Sequence, residues 1–159
     1  MNKIFLLMTL HASQAIQVEK IGIFFERLRY PPLSSRIIAL LLVSEPPFQS
    51  SEDIKELLHS SKSAVNTSIN LLLQEGLIDY FTFPGEKRRY FQVKATSWLK
   101  VFEKNMDDLL QFSIVLKEVA HTRSSDYPDF NQKLLNMRAF YQEVEEAMKE
   151  VIDRWSDKI

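Results

Sequence analysis

Lys62, Ser63, Asn66, Thr67 and Asn70 recur three and four residues apart, and Val65, Ile69 and Leu72 recur at the same spacing on the other side of the same stretch. Such spacing predicts a helix with one apolar and one polar face. Ser61 stands at its start. Hydroxyls, amides and an ammonium on the exposed side of a helix are groups that hydrogen-bond base edges and phosphates, most usefully from its amino-terminal half. A second set follows at Lys87-Arg88-Arg89, which can neutralise phosphates or reach into a minor groove. Each set also has a plainer reading, as a solvated helix face and as a charged edge strand that resists aggregation. In a strand, Arg88 and Tyr90 point one way and Lys87 and Arg89 the other, so the three are not expected to meet one duplex together.

Other chemistry finds little support. The chain has no cysteine, which excludes disulfides, thiolate metal sites and cysteine nucleophiles. The three histidines, His11, His59 and His121, are far apart and read as capping or surface residues rather than zinc ligands. There is no phosphate loop, no Gly-rich dinucleotide fingerprint, no HExxH and no nucleophile motif, so neither an enzyme nor a cofactor is expected.

The elements that must carry the polar helix are marked by proline and glycine. Pro31-Pro32 and Pro46-Pro47 bracket the apolar run 33–44, predicting a buried helix over Pro32–Val43. Before it, Ile16, Ile21, Phe24, Phe25 and Leu28 predict a helix over 13–30, with Gly22 inside it, a position that implies close packing of another backbone. Phe48-Gln49 reads as a brief extended stretch. Ser50 or Ser51 then caps a helix over 52–59, the polar turn 59–61 follows, and a second helix runs from about Lys62 to Glu75, with Gly76 as its left-handed cap. That is a helix-turn-helix. Residues 77–83 and 89–93 predict two strands around a turn at Pro84-Gly85-Glu86, a small hairpin or wing. Two long helices complete the chain, from Trp98 to about Arg123 and from about Asp129 to Trp155, parted by Ser124-Ser125-Asp126 and Pro128.

The expected fold is therefore mainly α: a winged helix-turn-helix over 32–96, flanked by a dimerisation helix over 13–31 and dimerisation helices over 97–159, with 1–12 as an extended amino-terminal segment. Helices this long and apolar need partners beyond a module of about fifty residues. The chain's net charge of −1 argues against a general polyelectrolyte binder, but the charge is uneven. Residues 1–60, 61–96 and 97–159 carry 0, +2 and −3, so the positive charge lies in the middle. Lys3 and Ile4–Met8 resemble a very short signal peptide, too short to span a bilayer; a cytoplasmic protein without membrane association is the expectation, with translation able to begin at Met8.

The sequence resembles MarR-type winged-helix regulators, and within them the GbsR-like branch. Three segments carry the resemblance: Ile21-Gly22-Ile23-Phe24-Phe25-Glu26-Arg27-Leu28 running into Pro31-Pro32-Leu33-Ser34-Ser35-Arg36-Ile37; Leu58-His59-Ser60-Ser61-Lys62-Ser63-Ala64-Val65-Asn66; and Phe83-Pro84-Gly85-Glu86-Lys87-Arg88-Arg89-Tyr90. The resemblance spans about residues 16–120. It implies a homodimeric regulator, by default a repressor, that binds double-stranded DNA and in some members answers to a small effector; the namesake branch is associated with choline and glycine betaine metabolism. The chain departs from the pattern at Asn66, where serine is common, and at Asn70, where an arginine is often found.

An effector of quaternary ammonium type needs an aromatic cage. Phe24, Phe25, Tyr30, Trp98, Phe102 and Phe112 are the candidates, with ordinary core packing as the plainer role. The alternative function is a winged-helix module that binds protein without specific DNA binding. The modest charge leans towards it, and the lack of exposed apolar anchors on the polar helix leans against it.

Overall fold

The computed structural model describes residues 12–156 and residue 158. The signal-like residues 3–8 and His11 lie outside them. The chain divides into two compact units, the first ending at Ala95 and the second beginning at Thr96.

In the first unit, α1 (Ala12–Arg27) leads into α2 (Pro32–Val43), then β1 (Gln49–Ser50), α3 (Ser51–Leu57), α4 (Lys62–Gln74), β2 (Ile78–Thr82) and β3 (Arg89–Val93). Helix α2 is the centre of the core: Ile37, Ile38, Ala39, Leu40 and Leu41 are all buried. A helix this apolar is stable only when most of its surface is covered, and α1, α4 and β3 all pack against it, leaving Leu42 exposed near its end. Ile54 of α3, Val65, Ile69 and Leu72 of α4, and Ile78 and Phe91 of the sheet complete the core. The strands form an antiparallel sheet in the order β1-β3-β2, with Ile78 opposite Val93, Tyr80 opposite Phe91 and Thr82 opposite Arg89.

Gly22 sits against α2, where an added Cβ would lie 3.1 Å from Arg36 Cγ. The close neighbour is thus mainly a side chain. Arg36 crosses Gly22, donates to both carboxylate oxygens of Glu19 at 3.1 and 2.9 Å, and pairs with Glu26. Its pKa is raised by the Glu19 hydrogen bond first and the Glu26 hydrogen bond second.

Three helices end in one motif. After α1, α3 and α4, the second residue beyond the helix adopts positive φ: Arg29 at 68°, His59 at 49° and Gly76 at 71°. In each case two backbone N–H groups turn back onto the last carbonyls, as in Ser60 N–H to Lys55 O at 3.1 Å and Leu77 N–H to Leu72 O at 3.0 Å. Gly76 is the cap its residue type predicts, whereas His59 ends α3 two residues earlier than the sequence suggests. The stretch read as extended before α3 is a sheet strand: Gln49 pairs with Phe91 and Ser50 with Tyr90.

In the second unit, a 3-10 turn (Ala95–Ser97) that begins at the boundary opens α5 (Trp98–Thr122), and α6 (Pro128–Ser156) follows. The helices pack as a hairpin, with Ser113, Leu116 and Leu134 buried between them. Its turn is fixed by Arg123 Nε donating to Asn131 Oδ1 at 2.8 Å and by Asn131 Nδ2 donating to the Ser124 carbonyl at 2.9 Å. Among the described residues no helix is long and apolar enough to cross a membrane.

Candidate nucleic-acid interface

The interface is built outwards from α4. Val65, Ile69 and Leu72 anchor it in the core, which forces the opposite side outward, and Lys62, Ser63, Asn66, Thr67 and Asn70 are all exposed. Ser61 is its N-cap and accepts from Ala64 N–H at 3.2 Å, which commits that hydroxyl oxygen to holding the first turn. Thr67 Oγ1 donates to the Ser63 carbonyl at 3.0 Å, leaving its lone pairs outward. Helix α3 is set by a capping box: Ser50 Oγ accepts from Asp53 N–H at 3.2 Å and Ser50 N–H donates to Asp53 Oδ2 at 3.1 Å.

Between α4 and the β2–β3 hairpin lies an open groove of about 640 Å³. Ile69, Leu73 and Phe91 form its floor, Asn66 and Asn70 one wall, and Lys87, Arg88 and Arg89 the other. The carboxylate of Glu52 also lines it and tempers the positive charge. The structure thus brings together five of the nine expected contact residues, while Ser61, Lys62, Ser63 and Thr67 occupy the first turns of α4 beyond the groove.

No protein-family model matches the chain. It is similar to the HTH-type transcriptional regulator MmpR5 of Mycobacterium tuberculosis, 23% identical over 141 residues that span 89% of this chain and 86% of the relative. It also superposes on the crystal structure of a transcriptional regulator with a TM-score of 0.61 at 25% identity, covering 91% of this chain and 99% of the other. The fold is that of a winged-helix transcriptional regulator.

In winged-helix terms, α4 is the recognition helix and the β2–β3 hairpin is the wing. The three basic wing residues differ sharply. Arg88 turns back onto the helix-turn-helix, pairing with Asp53 Oδ1 at 3.1 Å and donating to Ser50 Oγ, so its charge is balanced at the surface by Asp53 while its side chain stays 43% exposed. Arg89 lies over the Tyr80 ring, 4.7 Å from its centroid. Lys87 makes no hydrogen bond, ion pair or ring contact among the described residues and is exposed. Lys87 and Arg88 lie before the first residue of β3, so strand alternation does not set their directions, and all three basic residues line the one groove; the bond to Asp53, 35 positions away, carried no sequence signal.

The turn end of the wing holds a cluster that sequence reading missed. Phe48, Phe81, Phe83 and Tyr90 each contact the other three rings, with centroids from 5.0 Å (Phe83–Tyr90) to 5.9 Å (Phe81–Tyr90). Their β-strand members lie on the sheet face opposite Tyr80 and Phe91. The usable signal was the pairing of Phe81 with Tyr90 across the hairpin; Phe48 joins only because β1 lies beside β3.

The six aromatic candidates for an effector divide between the units. Phe24, Phe25 and Tyr30 make successive edge-on contacts at 5.5 and 6.0 Å, the packing of ring upon ring. Trp98, Phe102 and Phe112 lie along α5, where Trp98 and Phe112 are 14 residues and thus about 21 Å apart along the axis, too far for one small cation to touch both. Phe112 packs edge-on against Tyr141 at 5.7 Å. His59 serves as a helix cap, and His121 Nδ1 lies 2.9 Å from the Lys117 carbonyl. Among the described residues no group of three potential ligands could hold a metal ion.

Proposed function

We propose that the chain is a cytoplasmic, homodimeric MarR-type transcriptional regulator that reads double-stranded DNA with α4 and grips the flanking backbone with its wing. The observation that carries this reading is the alignment of an exposed row of amides and hydroxyls on α4 with a basic wing across one open groove. Asn66 and Asn70 are suited to adenine edges, Lys62 and Ser63 to bases or phosphates at the helix start, and Lys87 and Arg89 to phosphates. Arg88 contributes by tying the wing to α3. The regulator relatives support the assignment. Membership of the GbsR-like branch, repression as the outcome and control by a small effector belong to the same proposal. The branch rests on the three sequence segments, and repression on that resemblance.

The test is fluorescence anisotropy with the DNA upstream of the protein's own gene and a scrambled duplex, over a salt series, with Lys62→Ala/Lys87→Ala alongside. Sequence-dependent binding weakened by the double substitution supports the reading. Absence of binding to any duplex at low salt sinks it and favours a protein-binding role. Titration calorimetry with choline and glycine betaine tests the effector; no heat with either counts against a quaternary ammonium ligand.

A further inference from the structure

Three arginines among the described residues lie over aromatic rings: Arg88 over Tyr90, Arg89 over Tyr80 and Arg123 over Phe130. Two of them also spend their guanidinium on polar partners within the protein. Arg88 is paired with Asp53 and Ser50, and Arg123 Nε donates to Asn131 Oδ1 at 2.8 Å. Arg89 spends nothing. Among the described residues it makes no hydrogen bond and no ion pair, yet it is held 4.7 Å from the Tyr80 ring centroid and lines the groove beside α4. A ring face holds a guanidinium in place without using up the fork of N–H donors that suits a phosphate.

The sheet explains the placement. Thr82 lies opposite Arg89 and Tyr80 opposite Phe91, so Tyr80, Arg89 and Phe91 share one face, with Tyr80 diagonal to Arg89 and within reach of a long side chain. Tyr80 in turn leans on Phe91, their ring centroids 6.2 Å apart, and Phe91 is buried in the groove floor. At 49% exposure the Tyr80 ring does little to fill the core. Contacts therefore run from buried Phe91 through Tyr80 to Arg89 at the groove wall.

We propose that Tyr80 is a positioning residue for the wing's phosphate contact: its ring holds the Arg89 guanidinium at the groove, so that the fork meets a DNA phosphate without first being ordered. This inference rests on the DNA-binding reading above and adds a residue that acts on DNA through another. A guanidinium grips a phosphate with two parallel N–H···O bonds. Fixing a long side chain before binding removes an ordering cost that association otherwise carries. The ring of Tyr80 matters in this scheme and its hydroxyl does not.

Anisotropy of the full-length protein on the upstream duplex tests the proposal whether or not that duplex holds the operator, because phosphate contacts carry no sequence information. Tyr80→Leu is expected to weaken binding about two- to fivefold, and Tyr80→Phe to bind as wild type does. Arg89→Ala should lower the slope of log K against log salt concentration by about 0.9, and Tyr80→Leu should change nothing further in that background. Arg89→Lys keeps the charge without the fork, so it should keep the slope and lose affinity. Wild-type affinity in Tyr80→Leu or Arg89→Lys, or an unchanged slope in Arg89→Ala, would overturn the proposal. So would the same factor lost to Tyr80→Leu with and without Arg89, since Tyr80 would then act by another route. Tyr80→Phe as weak as Tyr80→Leu would overturn it by assigning the contact to the hydroxyl. In each of these cases wild-type binding leaves the DNA-binding reading intact, whereas a wild type that binds no duplex at low salt overturns both.

Discussion

Lys87 and Arg88 are neighbours in sequence with the same formal charge, yet under the proposed function they are expected to play different parts in DNA binding. Lys87 is exposed and makes no internal contact among the described residues, whereas Arg88 is held by Asp53 and Ser50. Each phosphate neutralised by a protein cation contributes about 0.9 to the slope of log K against log salt concentration. Lys87→Ala should therefore lower that slope by about 0.9, and the variant's deficit should shrink about three- to fourfold between 50 and 200 mM salt. Arg88→Ala should leave the slope nearly unchanged, because its charge is already balanced within the protein. It should instead weaken binding by a factor similar at all salt concentrations, through a looser wing. The assay is anisotropy on one duplex at five or six salt concentrations for wild type and each variant. The reasoning is refuted if Arg88→Ala lowers the slope as much as Lys87→Ala does. That result would mean that Arg88 leaves Asp53 for the phosphates on binding.

A double-mutant cycle of Asp53→Ala and Arg88→Ala in urea unfolding should give a coupling of about 0.5 kcal/mol, since both side chains are about two-fifths exposed, and it should fall as salt rises. A coupling indistinguishable from zero at low salt would remove Arg88 as the residue that ties the wing down. His59→Gly should raise stability by about 0.5–1 kcal/mol, because His59 holds a left-handed backbone at φ 49°, and Gly76→Ala should lower it by about 1 kcal/mol for the converse reason; thermal melts read both signs. Phe48→Ala removes one ring from all three of its partners and should cost about 2 kcal/mol, with loss of near-ultraviolet circular dichroism, whereas an unchanged near-ultraviolet spectrum would mean the four rings do not order one another.

The parts of this fold legible in the sequence are those set by a residue's own backbone. Pro32 opens α2 at the predicted position, Gly76 closes α4 and Gly85 turns the hairpin, each at a conformation its residue type favours. The same left-handed cap at Arg29 and His59 was invisible, because neither residue prefers that conformation and each is held there by its helix's last carbonyls and its surroundings. Contacts across long sequence separations were equally hidden. β1 looked like a connector because its ladder partner lies about forty residues on, and nothing local in the sequence linked Asp53 to Arg88. For the candidate site, periodicity selected the exposed face of α4 correctly. It had no way to show that Ser61 is taken up as a cap or that Arg88 is paired with Asp53.

The two-residue strand β1 has a consequence for how an operator would be read. Ser50 is at once a rung of the sheet, opposite Tyr90, and the N-cap of α3, so no loop separates the wing's inner strand from the helix that precedes α4. Under the proposed function the wing is expected to act as a lever and not a hinged flap, a push on its tip tilting the helix-turn-helix. Base preferences at the wing and at the recognition helix then cease to be independent. A scoring scheme that sums one contribution per base position would misrank this protein's binding sites, with its largest errors where a change in minor-groove width coincides with a change beneath α4.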